Sequence, residues 1–131
     1  MKHYDVVAAI VIKNNKILCV QRDYGKFDYI SLKYEFPGGK IKYGESKKDA
    51  LKRELLEELD LDISIEKEFL VVNHQYPDFN VTMYSFICRP LNLDLNLKEH
   101  IDFKWLNSEN LQKLDWVEAD IPIVSRLVKE Y

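Results

Sequence analysis

Pro37-Gly38-Gly39 breaks the chain between an extended segment and a helix signal, and it constrains the fold more than any other stretch. Proline removes a backbone donor and biases the preceding residue towards extended geometry. Glycine opens backbone angles closed to other residues. Tyr34-Glu35-Phe36 therefore reads as a short strand that must stop at the break. Ser46 then offers a hydroxyl N-cap, and Asp49 lies three residues on, as in a capping box, although Glu is the preferred acid there. The helix that follows is predicted to run to about Leu59. Ala50, Leu51, Leu55 and Leu59 share one stripe, which is the face to be buried.

That helix carries acids at Glu54, Glu57 and Glu58. Residues three and four apart share a face, so the three carboxylates are expected on an arc of about 100°. Like charges at this spacing destabilise an isolated helix by roughly 0.2–0.5 kcal/mol per pair. A cation beside them removes that cost. Hard divalent ions such as Mg2+ prefer oxygen ligands, so the pattern points to Mg2+ or Mn2+ and to chemistry on phosphates. The alternative account is an acidic face left in solvent, with Lys52 and Arg53 making ordinary surface pairs.

Bulk properties narrow the classes. A chain of 131 residues suits one domain spanning 1–131, and 47% hydrophobic content is enough for a core. A net charge of −3 argues against a protein that coats a nucleic acid polymer. It is compatible with a small anionic ligand held by a local basic patch. Cys19 and Cys88 sit in apolar runs without a CxxC or Cys/His cluster, so reduced, buried thiols are expected rather than a zinc site. The opening Met-Lys-His-Tyr-Asp enters a strand pattern directly and lacks signal-peptide order. No apolar run approaches a membrane span. A cytoplasmic protein, monomer or homodimer, with no membrane partner is the expectation.

Along the chain, Val6 to Ile12 is a nearly continuous apolar run and reads as a buried strand. Asn14-Asn15 marks a turn into a second strand, Ile17 to Val20, and a hairpin is predicted. Residues 23 to 33 read as loop. Leu61 to His74 and Val81 to Cys88 read as strands around the turn Tyr76-Pro77-Asp78-Phe79-Asn80. Leu91, Leu93, Leu95 and Leu97 alternate with polar residues, which predicts a strand with one face buried. Ile101, Phe103 and Trp105 alternate again. Asn107-Ser108 is expected to cap a short helix, and Asp120 with Pro122 to start a last one ending near Glu130. Strands in a run, one helix amid them and helices at the end predict an α+β or α/β fold, a mixed β-sheet sandwiched between α-helices.

The spacing Gly39, five residues, Glu45, seven residues, Arg53-Glu54-Leu55, one residue, Glu57-Glu58, one residue, Asp60-Leu61 resembles the signature box of the Nudix hydrolases. One position departs, since the family usually has glycine where this chain has Asp60. Glycine there ends the helix in a left-handed turn, which Asp tolerates better than most residues. The resemblance implies the Nudix fold and a hydrolase of nucleoside diphosphates linked to another group. It implies that Glu54, Glu57 and Glu58 hold Mg2+ or Mn2+ with the backbone carbonyl of Gly38, and that Arg53 and Glu45 pair to orient the helix carboxylates.

The likeness extends through Ala8-Ala9-Ile10-Val11, Gln21-Arg22, Glu35-Phe36-Pro37-Gly38-Gly39-Lys40, Tyr76-Pro77-Asp78, Glu99-His100 with Trp105, and Ala119-Asp120-Ile121-Pro122. In that order these resemble the MutT-type nucleoside triphosphate pyrophosphohydrolases, a branch that includes 8-oxo-dGTP diphosphatases and the bacterial CTP pyrophosphohydrolase. Its members release a monophosphate and pyrophosphate, some of them cleansing the nucleotide pool in the service of DNA repair. The resemblance makes Arg22 and Lys40 phosphate-contact candidates, against a strand-end Arg and a loop Lys in solvent. It makes Glu99 a further metal ligand or a general base, and leaves His100 structural or exposed. Phe36, Tyr76 and Phe79 have two accounts, base stacking or ordinary packing. Asp120 either caps the last helix or reads the base. An ionised Asp only accepts hydrogen bonds, and cytosine presents its exocyclic amine as a donor, so the sequence favours cytosine nucleotides. A nucleotide sugar or dinucleoside polyphosphate hydrolase, or a non-catalytic nucleotide-binding module, are the rival readings.

Overall fold

Residues Val7 to Ile12 are buried on both sides of the sheet in the computed structural model, which describes residues 1–131. They lie in β1 (Lys2–Lys13). Val7, Ala9 and Val11 enter one apolar cluster, while Ala8, Ile10 and Ile12 enter another on the opposite face. A strand covered on both faces needs no polar alternation, which accounts for the continuous apolar run.

β1 leads into β2 (Lys16–Gln21) through Asn14 and Asn15, at φ 52° and 63°. Two positive φ angles in a two-residue loop match the twist of paired strands, and Asn tolerates them. The predicted hairpin forms, with Ile12 opposite Ile17. Past the loop at 23–33, β3 (Tyr34–Glu35) pairs with β2, and β4 (Gly38–Lys40) pairs antiparallel with β1, with Gly38 opposite Ala8. β5 (Ile63–Gln75) and β6 (Phe79–Pro90) form a long hairpin, and β6 runs parallel to β1 from Lys2–Phe79 to Val11–Cys88. β7 (Asp102–Leu106) pairs with β2. The sheet is therefore mixed, with seven strands.

α1 (Lys47–Leu59) covers one face and α2 (Ile121–Glu130) the other. Ser46 caps α1 as predicted, its hydroxyl accepting from Asp49 N at 3.1 Å. Ala50, Leu51, Leu55 and Leu59 are all fully buried against Val7, Ala9 and Val11. Asp60 ends the helix at φ 54° and ψ 27°, in the left-handed region. A short helical segment of about two turns occupies Ser108–Lys113 without a side-chain cap from Asn107. Both cysteines are buried and unpaired, and burial pushes each thiol up to about 12. No helix is long and apolar enough to cross a membrane.

One predicted strand does not form. Residues 91–100 contain none, and Leu91 and Leu93 are exposed, while Leu95 and Leu97 pack against the α1-side cluster. Their neighbours' amides are drawn to the end of α1 instead of a strand partner, Asn96 N to Leu59 O at 2.9 Å and Lys98 N to Glu58 O at 3.2 Å. The last four carbonyls of a helix lack internal partners, and this loop supplies some of them.

Leu55 carries the seating of α1 on the sheet. Leu55→Ala is expected to cost about 2–5 kcal/mol of stability, read from the urea midpoint. A loss under about 1 kcal/mol would contradict the packing described.

Candidate active site

β4 lies so close to β1 and α1 that side chains are excluded. A Cβ on Gly38 would overlap the Val7 carbonyl, and one on Gly39 would overlap the Glu54 carboxylate. The bare backbone at Gly39 thus lets the Glu54 side chain lie against the strand. This is the physical reason a glycine pair precedes an acidic helix.

Arg53 gathers the acids. Its Nε and Nη2 donate to the two oxygens of Glu45 at 2.6 and 2.9 Å. Its Nη1 donates to Glu54 at 3.0 Å and to Glu57 at 3.1 Å, and Nη2 also reaches the Lys40 carbonyl at 3.1 Å. Glu45 accepts the Lys42 amide as well, at 2.8 Å. The paired guanidinium, helped by that amide, pulls the Glu45 carboxyl down to about 2.

Glu54 and Glu58 face a cleft of about 1340 Å³, whose lining also includes Gly38, Glu35, Glu99 and His100. Glu57 stands outside that lining, its side chain 54% exposed and held by Arg53. The arc predicted for the three acids is thus split between cleft and edge. No three His, Cys, Asp or Glu side chains converge into a ready metal-holding group, because Arg53 draws Glu54 and Glu57 to itself. Glu58 is buried, and burial, then its neighbours Glu54, Glu35 and Glu99, raise its carboxyl far above the carboxylate range. A divalent cation among these oxygens would lift that penalty, and an all-oxygen donor set suits a hard ion. The residues present fit Mg2+ or Mn2+.

Asp120 also lines the cleft and is only 2% exposed. Its Oδ2 accepts the Phe36 amide at 3.2 Å, while its buried Oδ1 has no partner. It makes no capping bond to α2. Burial, then the charge of Glu35, raises its carboxyl well above the usual range. Enclosure thus disfavours the charged Asp120 that the sequence argument assumed.

A profile described as the NUDIX domain matches residues 2–127. The chain belongs to the Nudix family. It is a hydrolase, similar to an 8-oxo-dGTP diphosphatase of Buchnera aphidicola, 31% identical over 98% of this chain and 96% of that one. It is similar also to the CTP pyrophosphohydrolase of Escherichia coli, 31% identical over 95% of this chain and 90% of that one. The solution structure of the DNA mismatch repair protein MutT from methicillin-resistant Staphylococcus aureus 252 shares 37% identity at a TM-score of 0.79, covering all of both chains. Nudix hydrolases generally use divalent metal ions.

Against this Nudix frame, the remaining sequence candidates fall unevenly. Arg22 is no free arm, since its Nη1 pairs with Glu35 at 3.2 Å and its buried Nε has no partner. Lys40 is exposed at the cleft, its ammonium 4.0 Å from the Tyr4 ring centre. Phe36 is buried and stacked on Trp116, with ring centres 4.7 Å apart. Tyr76 stacks on Tyr29, and its hydroxyl accepts from Ala119 N at 3.0 Å, which braces the segment carrying Asp120. Glu99 is exposed at the cleft.

Two residues carry more here than the sequence reading gave them, which left His100 structural or exposed and gave Glu35 no role. Glu35 accepts from Arg22, is hydrogen-bonded to His100 Nε2 at 2.9 Å, and lies within the fields of Glu58 and Asp120. The His100 side chain is 5% exposed, with Nδ1 3.8 Å from Glu58. Their only sequence signal was proximity to the glycine break and to Glu99.

The Glu45 pair gives a pH signature. Its folded carboxyl titrates below an unfolded Glu, so the stabilisation it provides is present above about pH 4.5 and is lost as pH falls through about 2. Glu45→Gln is expected to be less stable than wild type at pH 7, with the gap closing towards pH 2. Urea midpoints across that range check it, and a gap independent of pH would contradict the pairing.

Proposed function

We propose that this Nudix hydrolase is a single domain that converts a (deoxy)nucleoside triphosphate and water to the monophosphate and pyrophosphate, with Mg2+ or Mn2+, in nucleotide-pool sanitation. The observation that carries the reading is the cleft itself, whose lining brings the carboxylates Glu54, Glu58 and Glu99 together with buried, half-partnered Asp120. A polyphosphate with its ion and a base need those two kinds of group. The names of the similar proteins, an 8-oxo-dGTP diphosphatase and a CTP pyrophosphohydrolase, support a triphosphate substrate over a nucleotide sugar.

Glu54, Glu57, Glu58 and the Gly38 carbonyl would hold the ion. When bound, the ion neutralises phosphate charge and lowers the pKa of the attacking water. Arg53, braced by Glu45, holds Glu54 against the glycine backbone and Glu57 at the edge of the cleft. Glu99, exposed at the cleft, is placed to accept a proton from water or to add an oxygen ligand. Lys40 supplies a point charge for the phosphate tail. Arg22, which lines the cleft, remains a phosphate contact in this proposal and also orders Glu35 and, through it, His100.

Asp120 is the base reader in this proposal, with Tyr76 bracing it and Phe36 closing the wall behind. Its buried Oδ1, which has no partner in the folded chain, is the atom offered to the exocyclic amine of cytosine.

A panel of NTPs and dNTPs, with oxidised and methylated forms, assayed for pyrophosphate release, is expected to show Mg2+-dependent turnover that EDTA abolishes and Mn2+ restores. Nucleotide binding by calorimetry with every substrate inert would favour the binding-module reading. Glu57→Gln is expected to lower kcat by orders of magnitude at an unchanged melting temperature. Near-native turnover by that variant would remove Glu57 from the metal set.

A further inference from the structure

Asp60 stands where the Nudix box usually has glycine, and the helix stop alone gives the chain no reason to prefer it. Glycine takes a left-handed φ at no steric cost, whereas Asp pays for it. The side chain supplies the compensation. Its Oδ1 lies 2.7 Å from Lys98 Nζ, and its Oδ2 accepts from Asn96 Nδ2 at 3.3 Å. The Asp60 carbonyl accepts from Asn92 Nδ2 at 3.1 Å, and Asn92 Oδ1 accepts from Asp62 N at 2.7 Å.

These contacts join the Asn96 and Lys98 amides already bound to Leu59 O and Glu58 O. The whole of the loop between Asn92 and Lys98 is thereby fastened to the end of α1. The next two residues are Glu99 and His100, which line the cleft. The fastening point and Glu58 belong to the same helical end, and His100 Nδ1 comes within 3.8 Å of Glu58. Up to Lys98 the loop is thus referenced to the helix that carries the acids, and strand contacts resume with His100 on Glu35 and Ile101 N on Gln21 O.

We propose that Asp60 is a positioning residue: its carboxylate, through Lys98 and Asn96, sets where Glu99 and His100 stand relative to Glu58. A glycine-ended helix has no side chain with which to do this. The pair is exposed and weak by itself, but it acts on a segment already restrained by backbone bonds, so little additional ordering is required. The kinetic consequence rests on the role given to Glu99 above, while the tether is a property of the folded chain alone.

Asp60→Gly restores the residue favoured at this φ. A role confined to stopping the helix predicts an equal or higher melting temperature and unchanged activity. The positioning role predicts an equal or higher melting temperature, faster amide hydrogen exchange at Asn96 to Glu99, and kcat lowered about tenfold with nucleotide KM within about twofold. Lys98→Met is expected to reproduce the exchange and the kcat change, and the double variant to go no further than either single. Wild-type exchange in the loop of Asp60→Gly, an unchanged kcat, or fully additive losses in the double variant would each overturn the proposal. Exchange and melting need no substrate. Protein inert on every nucleotide would therefore defeat the triphosphate reading, while a loosened loop in the same protein would still uphold the tether.

Discussion

One guanidinium holds the acidic end of the cleft together. Arg53 spans Glu45, Glu54, Glu57 and the Lys40 carbonyl, and so binds three segments that the chain connects only loosely. Without it, the carboxylates of α1 would repel one another, and the turn from Lys40 to Glu45 would lose its only cationic anchor to the helix. A planar fork with several donors meets this demand, whereas a lysine ammonium would satisfy one direction at a time. The same grip explains why the acids are not gathered as a finished ion cage. Arg53 competes for oxygens of Glu54 and Glu57, so charge is balanced first by the protein.

Burial divides the remaining polar groups into two kinds. Glu45 and Glu57 keep contact with solvent and pair with Arg53, and exposed Lys40 lies over the Tyr4 ring. Glu58, Asp120 and His100 are enclosed: Glu58 sits among like charges, while Asp120 Oδ1 and His100 Nδ1 lack partners. Unsatisfied buried groups are costly, and here they all line one cleft. Glu35 lies between them, tied to Arg22 and His100, and its charge bears on both Glu58 and Asp120. Glu58 and Asp120 are thus coupled by a carboxylate the signature box does not contain.

Local signals carried much of this into the sequence. The glycine break, the Ser46 cap, the buried stripe and the acidic positions each depend on neighbours within a few residues, and all could be placed by periodicity and spacing. The Leu91 to Leu97 alternation misled because it was read as a face for a strand, when the amides beside it are consumed by the carbonyls of α1. The pairing of Arg22 with Glu35 could not be read because the two lie on different segments. The enclosure of Asp120 by Phe36 and the segments around it is invisible along the chain. Of the two accounts of His100, structural or exposed, only the fold could choose burial. What escaped, in each case, depended on segments distant in sequence meeting in the fold.

The parallel pairing of β1 with β6 has a further consequence, for biogenesis. During synthesis the ribosome releases β1 and the acidic helix well before β6 exists. Until β6 arrives, β1 has only β2 and β4 beside it, and the floor beneath α1 is missing Phe86 and Cys88. Closing so long a stretch of chain is slow relative to local structure. The acidic face of α1 therefore waits, half-supported, for a strand made late, and a nascent chain halted before β6 would carry the whole signature box on an unfinished floor.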